Sequence, residues 1–391
     1  MPVLTIAAVV PALIWAYLLL GRGGFWRVGR AMPPTRPAGA QLSSRVAVVI
    51  PARDEASVIG ESVASLLQTA DVVLHVFVVD DHSSDGTAQI ARQAAAKLGK
   101  LDSVTVLQGA SLPAGWSGKL WAVSQGVQTA RAWAPDFLLL TDADVVHSLA
   151  TIPTLVSIAE NGPYDVASFM VRLQCRSVAE KLLIPAFVFF FFKLYPPAWI
   201  SDPERAIAAA AGGCLLIRPQ ALAQAGGIEA IRGQIIDDCA LAGAVKRVGG
   251  RVWLGLSETS VSIRSYGSFA AIEGMISRTA FNQLQHSTFL LLAAVAGLAI
   301  TYLFPPALLL SRQASTMVVA GAAWALMTVA YLSMIRFYKL NPLWALTLPV
   351  AALFYAIATI HSAIKFWRGK GGEWKGRAQD PLQRSVYGSR Q

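Results

Sequence analysis

The residues best equipped for chemistry are carboxylates, and they fall in tight groups. Asp142 and Asp144 form an Asp-x-Asp pair directly after the apolar run Phe137 to Leu140. At the end of a strand that spacing lets both carboxylates reach one divalent ion. Hard oxygen ligands suit Mg²⁺ or Mn²⁺, which keep positions open for substrate phosphates. Asp237 and Asp238 are adjacent in Gly233-Gln-Ile-Ile-Asp-Asp-Cys239. Like charges this close raise the pKa of one carboxyl, which suits a proton acceptor, and Asp238 is the candidate base. The structural alternative for the same carboxylate is a cap on a helix at Ala240 to Val248. Two further acidic groups, Pro51-Ala-Arg-Asp-Glu55 and Asp80-Asp-His-Ser-Ser-Asp-Gly86, lie upstream. Lys119, in Gly115-Trp-Ser-Gly-Lys-Leu-Trp-Ala122, is not a P-loop lysine, because the glycine-rich loop is missing. The three cysteines, Cys175, Cys214 and Cys239, are scattered and include no CxxC pair, so neither a disulfide framework nor a zinc site is indicated.

The acidic groups need elements that bring them together. Val46 to Ile50 is a short β-branched run stopped by Pro51, as expected of a buried parallel strand. Helical spacing over Ser57 to Gln68 and a second strand at Leu74 to Val79 complete a βαβ unit. Alternation continues with a helix at Gly86 to Leu98, a strand at Val104 to Leu107, a helix at Gly118 to Trp133 and a strand at Phe137 to Thr141. This predicts an α/β fold with an open, mostly parallel sheet, whose ligands sit at the carboxyl ends of the strands. Three acidic clusters lie at those ends. A lone Asp after a strand is usually a turn or cap, but three on one sheet edge point to a site. Gly212-Gly213-Cys214 precedes a strand-like Leu215 to Ile217 and reads as a close backbone approach to a ligand or as a tight turn.

In this order, Pro51-Ala-Arg-Asp-Glu55, Val79-Asp-Asp-His-Ser-Ser-Asp-Gly-Thr87, Asp142-Ala-Asp144 and Asp237-Asp238 resemble the family 2 inverting glycosyltransferases over about residues 46 to 280. The resemblance implies a GT-A fold, a nucleotide-sugar donor with UDP the expected nucleotide, and a divalent cation held by Asp142 and Asp144. It implies that Asp81, with Asp80 the near alternative, meets the base, and that Pro51, Asp54 and Glu55 support the nucleotide pocket. Asp238 matches the family's catalytic Asp, with Asp237 in place of a Glu. The Gly-Lys segment resembles that of relatives of ceramide glucosyltransferase, implying a donor contact for Lys119 against the alternative of a solvated lysine at a helix start. Of the later Gln-x-x-Arg-Trp motif only Arg278 survives, in Met275-Ile-Ser-Arg-Thr279, which argues against a processive polysaccharide synthase. The motif order and the Arg278-Thr-Ala-Phe281 stretch most resemble the hopene-associated glycosyltransferases of bacteria, implying a hopanoid or related lipid alcohol as acceptor.

Composition sets the rest. The chain of 391 residues is 54% hydrophobic and 14% charged, with a mean hydropathy of +0.50. That is too apolar for an ordinary soluble protein. Val3 to Leu20, Thr288 to Leu310, Thr316 to Ile335 and Pro342 to Ile364 are uncharged runs about long enough for a bilayer core. The expected organisation is an uncleaved N-terminal anchor (1–20), a basic linker (21–45), a cytoplasmic catalytic domain (46–286), a transmembrane region (287–364) and a basic tail (365–391). Within the domain, 182–199 reads as an interfacial aromatic segment against the alternative of a buried core helix. Arg22, Arg27, Arg30, Arg36 and Arg45 place the domain on the cytoplasmic face of the cell inner membrane, where the linker meets anionic lipid headgroups. The net charge of +10 lies beside the membrane runs rather than in nucleic-acid-type aromatic patches. The partners expected are therefore the donor and a membrane lipid acceptor, with no nucleic acid. Two competing functions are a polyprenyl-phosphate glycosyltransferase and an inactive nucleotide-binding membrane scaffold.

Overall fold

The computed structural model describes residues 2–33 and 43–369 and the short strands Glu373–Trp374 and Arg377–Ala378. Arg36 in the linker and most of the basic tail lie outside the described residues. The chain forms two compact units. One is built mainly from Ala31–Leu173 and Ile200–Arg264, the other from Met1–Arg30, Gln174–Trp199 and Ser265–Gly371.

The first unit is an α/β sheet of eight strands: β1 (Arg45–Ala52), β2 (Val73–Asp80), β3 (Val104–Gln108), β4 (Phe137–Leu140), β5 (Val145–Val146), β6 (Val166–Arg172), β7 (Leu215–Ile217) and β8 (Val252–Ser262), in the order β3-β2-β1-β4-β7-β6-β8-β5. The first four are parallel, as the sequence predicts. The second half is mixed: β7 runs antiparallel to β4 and β6, β8 is parallel to β6, and β5 is antiparallel to β8. Val46 to Ile50 are fully buried, so β1 carries an unbroken apolar run rather than an alternating one. Pro51 does not end the strand. The pairing continues through Pro51 opposite Val79 and Ala52 opposite Asp80, which brings the first two acidic motifs side by side.

Helices Ile59–Leu67, Thr87–Lys97, Gly118–Ala130 and Thr151–Asn161 supply the crossovers and the covering layers. Gly86 caps Thr87–Lys97 at φ +88°, a left-handed conformation that disfavours a side chain. Between β1 and β4 the chain direction of the winding reverses, and open α/β sheets bind their ligands in the crevice at such a switch point.

The second unit is helical. Val3–Leu20, Thr288–Ser311, Ala314–Phe337 and Pro342–Trp367 are each long and apolar enough to cross a membrane. Pro305 and Pro306 do not interrupt the second of these: the helix widens into a π turn at Ala299–Leu303 and resumes at Phe304–Leu308. The wide turn accommodates the missing proline N–H groups.

Two parts of the expected catalytic domain, 174–199 and 265–286, group with these helices rather than with the sheet. The segment expected at the interface is mostly a helix, Val178–Leu194, whose Phe189, Phe190 and Phe192 are buried. Phe189 packs against Phe25 and Tyr331, and Phe190 against Tyr302 and Tyr355. The aromatic density fills the interior of the helical unit, as the core-helix alternative requires. Ser177 and Glu180 form a reciprocal capping box at the start of this helix.

Candidate active site

The crevice at the carboxyl ends of β1 and β4 is lined by Pro51, Lys119, Thr141, Asp142, Gly212, Asp237 and Asp238, over an apolar floor that includes Leu120, Leu215 and Leu241. Lys119 is at its centre. Ser117 caps the helix that carries it by accepting from the N–H of Leu120. Its ammonium lies 3.0 Å from Asp142 Oδ1 and 3.1 Å from Asp237 Oδ2. Burial opposes the charge, but Asp142, Asp237 and Asp238 together hold the ammonium well above the usual lysine range. Lys119 is thus not a solvated helix-start lysine.

Asp237 and Asp238 open the helix Asp237–Arg247 instead of preceding it, and Ile236 holds the cap position. Asp238 accepts at 2.7 Å from the N–H of Gly212 and at 2.7 Å from that of Cys239. Burial, then the charge on Asp237, push its carboxyl up to about 6 against the opposing pull of Lys119 and these two N–H groups. A Cβ on Gly212 would stand 3.4 Å from both Asp238 Oδ2 and Lys119 Nζ, so the glycine is where the backbone comes closest to the charged cluster. Gly212 and Gly213 form a tight turn, closed by the N–H of Cys214 donating to the Ala211 carbonyl at 3.1 Å, as the turn reading requires.

Asp144 faces another way. Its Oδ2 accepts from Ser262 Oγ at 2.8 Å and from Arg264 Nε at 3.1 Å. The same guanidinium reaches both carboxylate oxygens of Glu55 at 2.7 Å through Nη2. Arg264 therefore ties the first acidic motif to the Asp-x-Asp pair, a role the sequence reading missed. The available signal was a basic residue two positions beyond a strand, but β8 was not assigned from the sequence.

His147 was also missed. It is buried, with Nε2 2.9 Å from Thr141 Oγ1 and Nδ1 3.3 Å from Ser260 Oγ. Thr141 in turn donates to the carbonyl of Gly213 at 2.7 Å. Since that carbonyl takes the Thr141 proton, His147 donates from Nε2. Burial lowers its pKa to about 4, which keeps the imidazole neutral. The chain His147–Thr141–Gly213 fixes the start of the Asp-x-Asp turn against the Gly212-Gly213 loop.

The two upstream motifs interlock. Asp54, at φ 51°, donates its N–H to Ser83 Oγ and accepts from the N–H of Ser84, while Glu55 N–H donates to Thr87 Oγ1. Asp80 accepts from the N–H of Ser83, and Arg53 donates to the Asp81 carbonyl, with its guanidinium 3.6 Å from Asp81 Oδ2. Asp54 and Asp80 thus shape the loop, and Asp81 is buried beside Arg53. Arg278 belongs to the helical unit, exposed just beyond the helix Phe269–Ser277.

Among the described residues no three His, Cys, Asp or Glu side chains converge on a point that could hold a metal. Asp142 and Asp144 offer two carboxylates, of which Asp142 is 37% exposed and Asp144 is shared with Arg264. So sparse an oxygen set does not fit zinc. It does fit Mg²⁺ or Mn²⁺, which are held by one or two carboxylates and take their other oxygens from phosphate and water.

A family model described as glycosyltransferase like family 2 matches residues 44–254, more than half of the chain and the whole of this crevice. No curated protein matches the chain by sequence. Among solved structures, the mannosyltransferase PcManGT from Pyrobaculum calidifontis, in complex with GDP-Man and Mn²⁺, is 17% identical, covers 92% of this chain and 99% of its own, and has a TM-score of 0.55. Glucosyl-3-phosphoglycerate synthase from Mycobacterium tuberculosis, in complex with phosphoglyceric acid, is 16% identical over 62% of this chain and 81% of its own, with a TM-score of 0.39. The sheet, with its acidic motifs on one edge, is a GT-A fold, and the chain belongs to the glycosyltransferase-like family 2.

Proposed function

We propose that the protein is a membrane-bound inverting glycosyltransferase that moves a sugar from a nucleoside diphosphate, UDP, to a hydroxyl of a hopanoid-type lipid at the cytoplasmic face of the inner membrane. The observation that carries this reading is the acidic cluster around Lys119, with Asp238 held by the Gly212 N–H at the carboxyl end of a parallel sheet.

Each group has a task in that reaction. Asp238, with its carboxyl near pH 6, is largely ionised at neutral pH yet basic enough to take a proton. As the acceptor oxygen forms its bond to the anomeric carbon, the bond from that carbon to the diphosphate breaks, and the hydroxyl proton passes to Asp238. Attack from the face opposite the leaving group inverts the centre. Lys119 holds Asp142 and Asp237 in place and offers its one remaining N–H to the departing phosphate. Asp81 and Arg53, with Asp54 and Glu55 around them, form the nucleoside end, and Pro51 lines the crevice beneath. Asp142, with Asp144 two residues on, would hold a divalent cation, which would supply positive charge against that developing on the diphosphate. Four helices long and apolar enough to cross a membrane suit an acceptor that is itself a membrane lipid, and the arginines of the linker suit anionic headgroups.

The test is transfer by the purified full chain in lipid nanodiscs, given a panel of nucleotide-sugars and a membrane lipid extract, with mass spectrometry of the products. A sugar in glycosidic linkage to a lipid alcohol is expected, lost with a chelator and in Asp144→Ala. A phosphodiester-linked sugar would mark a lipid phosphate as the acceptor. Full turnover in excess chelator would remove the cation from the mechanism.

A further inference from the structure

One end of the helical unit gathers positive charge without a carboxylate to match it. Beyond the apolar helix that closes at Leu20, Arg22 donates from Nε and Nη2 to the carbonyls of Lys193 and Leu194, at 3.0 and 3.2 Å. These are the last carbonyls of the helix Val178–Leu194, so the guanidinium caps its negative end. The same guanidinium stacks 4.6 Å over the Trp199 ring. Gly23, at φ +63°, passes so close that a Cβ there would lie 2.9 Å from Trp199 Nε1.

Lys193 turns its ammonium to the Tyr302 hydroxyl at 3.1 Å, over the rings of Phe190 and Tyr302 at 5.4 and 5.1 Å. Trp15 closes the far side, edge-on to Tyr302 at 5.5 Å and donating to the Thr301 carbonyl. Both cations are half-buried, and among the described residues neither has a carboxylate within 4 Å. Lys365 in the same unit, by contrast, is paired with Glu273. Burial, and after it the charge on Arg22, push the Lys193 ammonium down to about 8. Two like charges confined among aromatic rings are unfavourable alone and favourable around an anion.

We propose that Arg22 and Lys193, the latter positioned by the buried hydroxyl of Tyr302, form a binding site for the phosphate of a membrane lipid. The donors suit a phosphate: Lys193 has two N–H groups beyond the one facing Tyr302, and Arg22 has an Nη1 that serves neither carbonyl. The surroundings suit acyl chains rather than water. Leu13, Tyr17 and Leu20, on the helix that leads to Arg22, are 65%, 55% and 86% exposed. Trp199, half-buried beside Arg22, is an amphipathic ring of the kind found where headgroups meet hydrocarbon. Long basic side chains at helix ends reach that same level. The site uses no group of the glycosyl-transfer reaction and stands or falls apart from it.

The test is native mass spectrometry of the full chain in mild detergent, with phosphatidylglycerol, diacylglycerol and inorganic phosphate as probes. Wild type is expected to retain phosphatidylglycerol at least tenfold better than diacylglycerol, with Arg22→Gln and Lys193→Gln each losing most of that preference and Lys193→Arg keeping it. Melting temperatures near wild type would show that the variants fold. Should Lys193→Gln not fold, Tyr302→Phe, which removes only the hydroxyl, carries the same comparison beside Arg22→Gln. The proposal is overturned if wild type holds both lipids equally, or if folded Arg22→Gln and Tyr302→Phe bind as wild type does. Displacement of the lipid by millimolar inorganic phosphate would also overturn it, marking a free-phosphate site.

Discussion

Arg264 is the sharpest place to perturb the site, because one guanidinium joins two motifs that lie far apart in the sequence. Glu55 and Asp144 are 7% and 9% exposed, and Arg264 reaches them at 2.7 and 3.1 Å. Arg264→Met leaves both carboxylates buried without this counter-charge. Breaking a fully buried pair costs about 3–5 kcal/mol, but the Arg264 side chain is 34% exposed, so solvent screening reduces the expected loss to about 1.5–3 kcal/mol. The contribution of the Glu55 contact is read from a double-mutant cycle with Glu55→Gln. Each single variant should lower the melting temperature, and the double variant should lose less than the sum, with a coupling of about 1–2 kcal/mol. Arg264→Lys should fall between wild type and Met, since an ammonium cannot fork across two carboxylates. The sign for a divalent cation is opposite. Removing a positive charge 3.1 Å from Asp144 favours another cation there, so the Mn²⁺ concentration that half-saturates the folded Arg264→Met protein should fall. Strict additivity in the cycle, or a weaker Mn²⁺ response in the folded variant, would refute the reasoning.

Asp238→Asn should keep donor affinity near wild type by calorimetry while transfer falls by about 10²–10⁴, since a base acts in the transition state and not in ground-state binding. In wild type the ionised form is the active one and the carboxyl sits near 6, so kcat/KM should drop about tenfold per pH unit below that value and level off above it; an acid limb near 4 would place the base elsewhere. Glu180 is buried in the helical unit, where burial opposes its charge but the N–H groups of Ser177, Arg176, Tyr266 and Gly267 and the Ser265 hydroxyl hold the carboxyl down to about 2. Its folded pKa lies below the unfolded one, so its stabilisation is complete above the ordinary carboxylate range and lost as pH falls toward about 2. Glu180→Gln turns an NH₂ toward donors and should cost about 1–3 kcal/mol in melting experiments at neutral pH; an unchanged melting temperature would sink that account.

What could be read from the sequence was what depends on neighbours in the chain. The parallel half of the sheet announces itself because strands buried on both faces need continuous apolar runs, and Val46 to Ile50 or Phe137 to Leu140 permit little else. Three of the acidic motifs were visible for the same reason, each lying at the end of its strand, while Asp237 and Asp238 open a helix. The mixed half was harder: β7 has three residues, and β8 contains Gly255, Ser257, Glu258 and Ser260, which break its apolar pattern. With β8 unassigned, Arg264 had no position, and the carboxylates it joins seemed independent. His147 was hidden because its partners, Thr141 and Ser260, come together only across β5 and β8. The helix Val178–Leu194 reads as amphiphilic from its aromatics and Lys193; that its phenylalanines face inward depends on helices more than a hundred residues later.

The charge balance of the crevice gives the cation reading its physical ground. Among the described residues, Lys119 pairs with Asp142 and Asp237, Arg264 pairs with Glu55 and Asp144, and Asp238 lies next to Asp237, so carboxylates outnumber the cations that join them. Part of the excess is relieved at Asp238, whose carboxyl is pushed up first by burial and then by the charge on Asp237. A nucleoside diphosphate would add to the excess wherever its phosphates approached Asp142. Lys119 cannot offset both its carboxylates and the donor, because its ammonium already lies between Asp142 and Asp237. An anionic donor therefore enters this crevice favourably only in company with positive charge from solution. On the proposed reading, the half-exposed Asp142 carboxylate would hold a divalent ion that would supply that charge, and Asp238, held by the N–H groups of Gly212 and Cys239, would remain as the base.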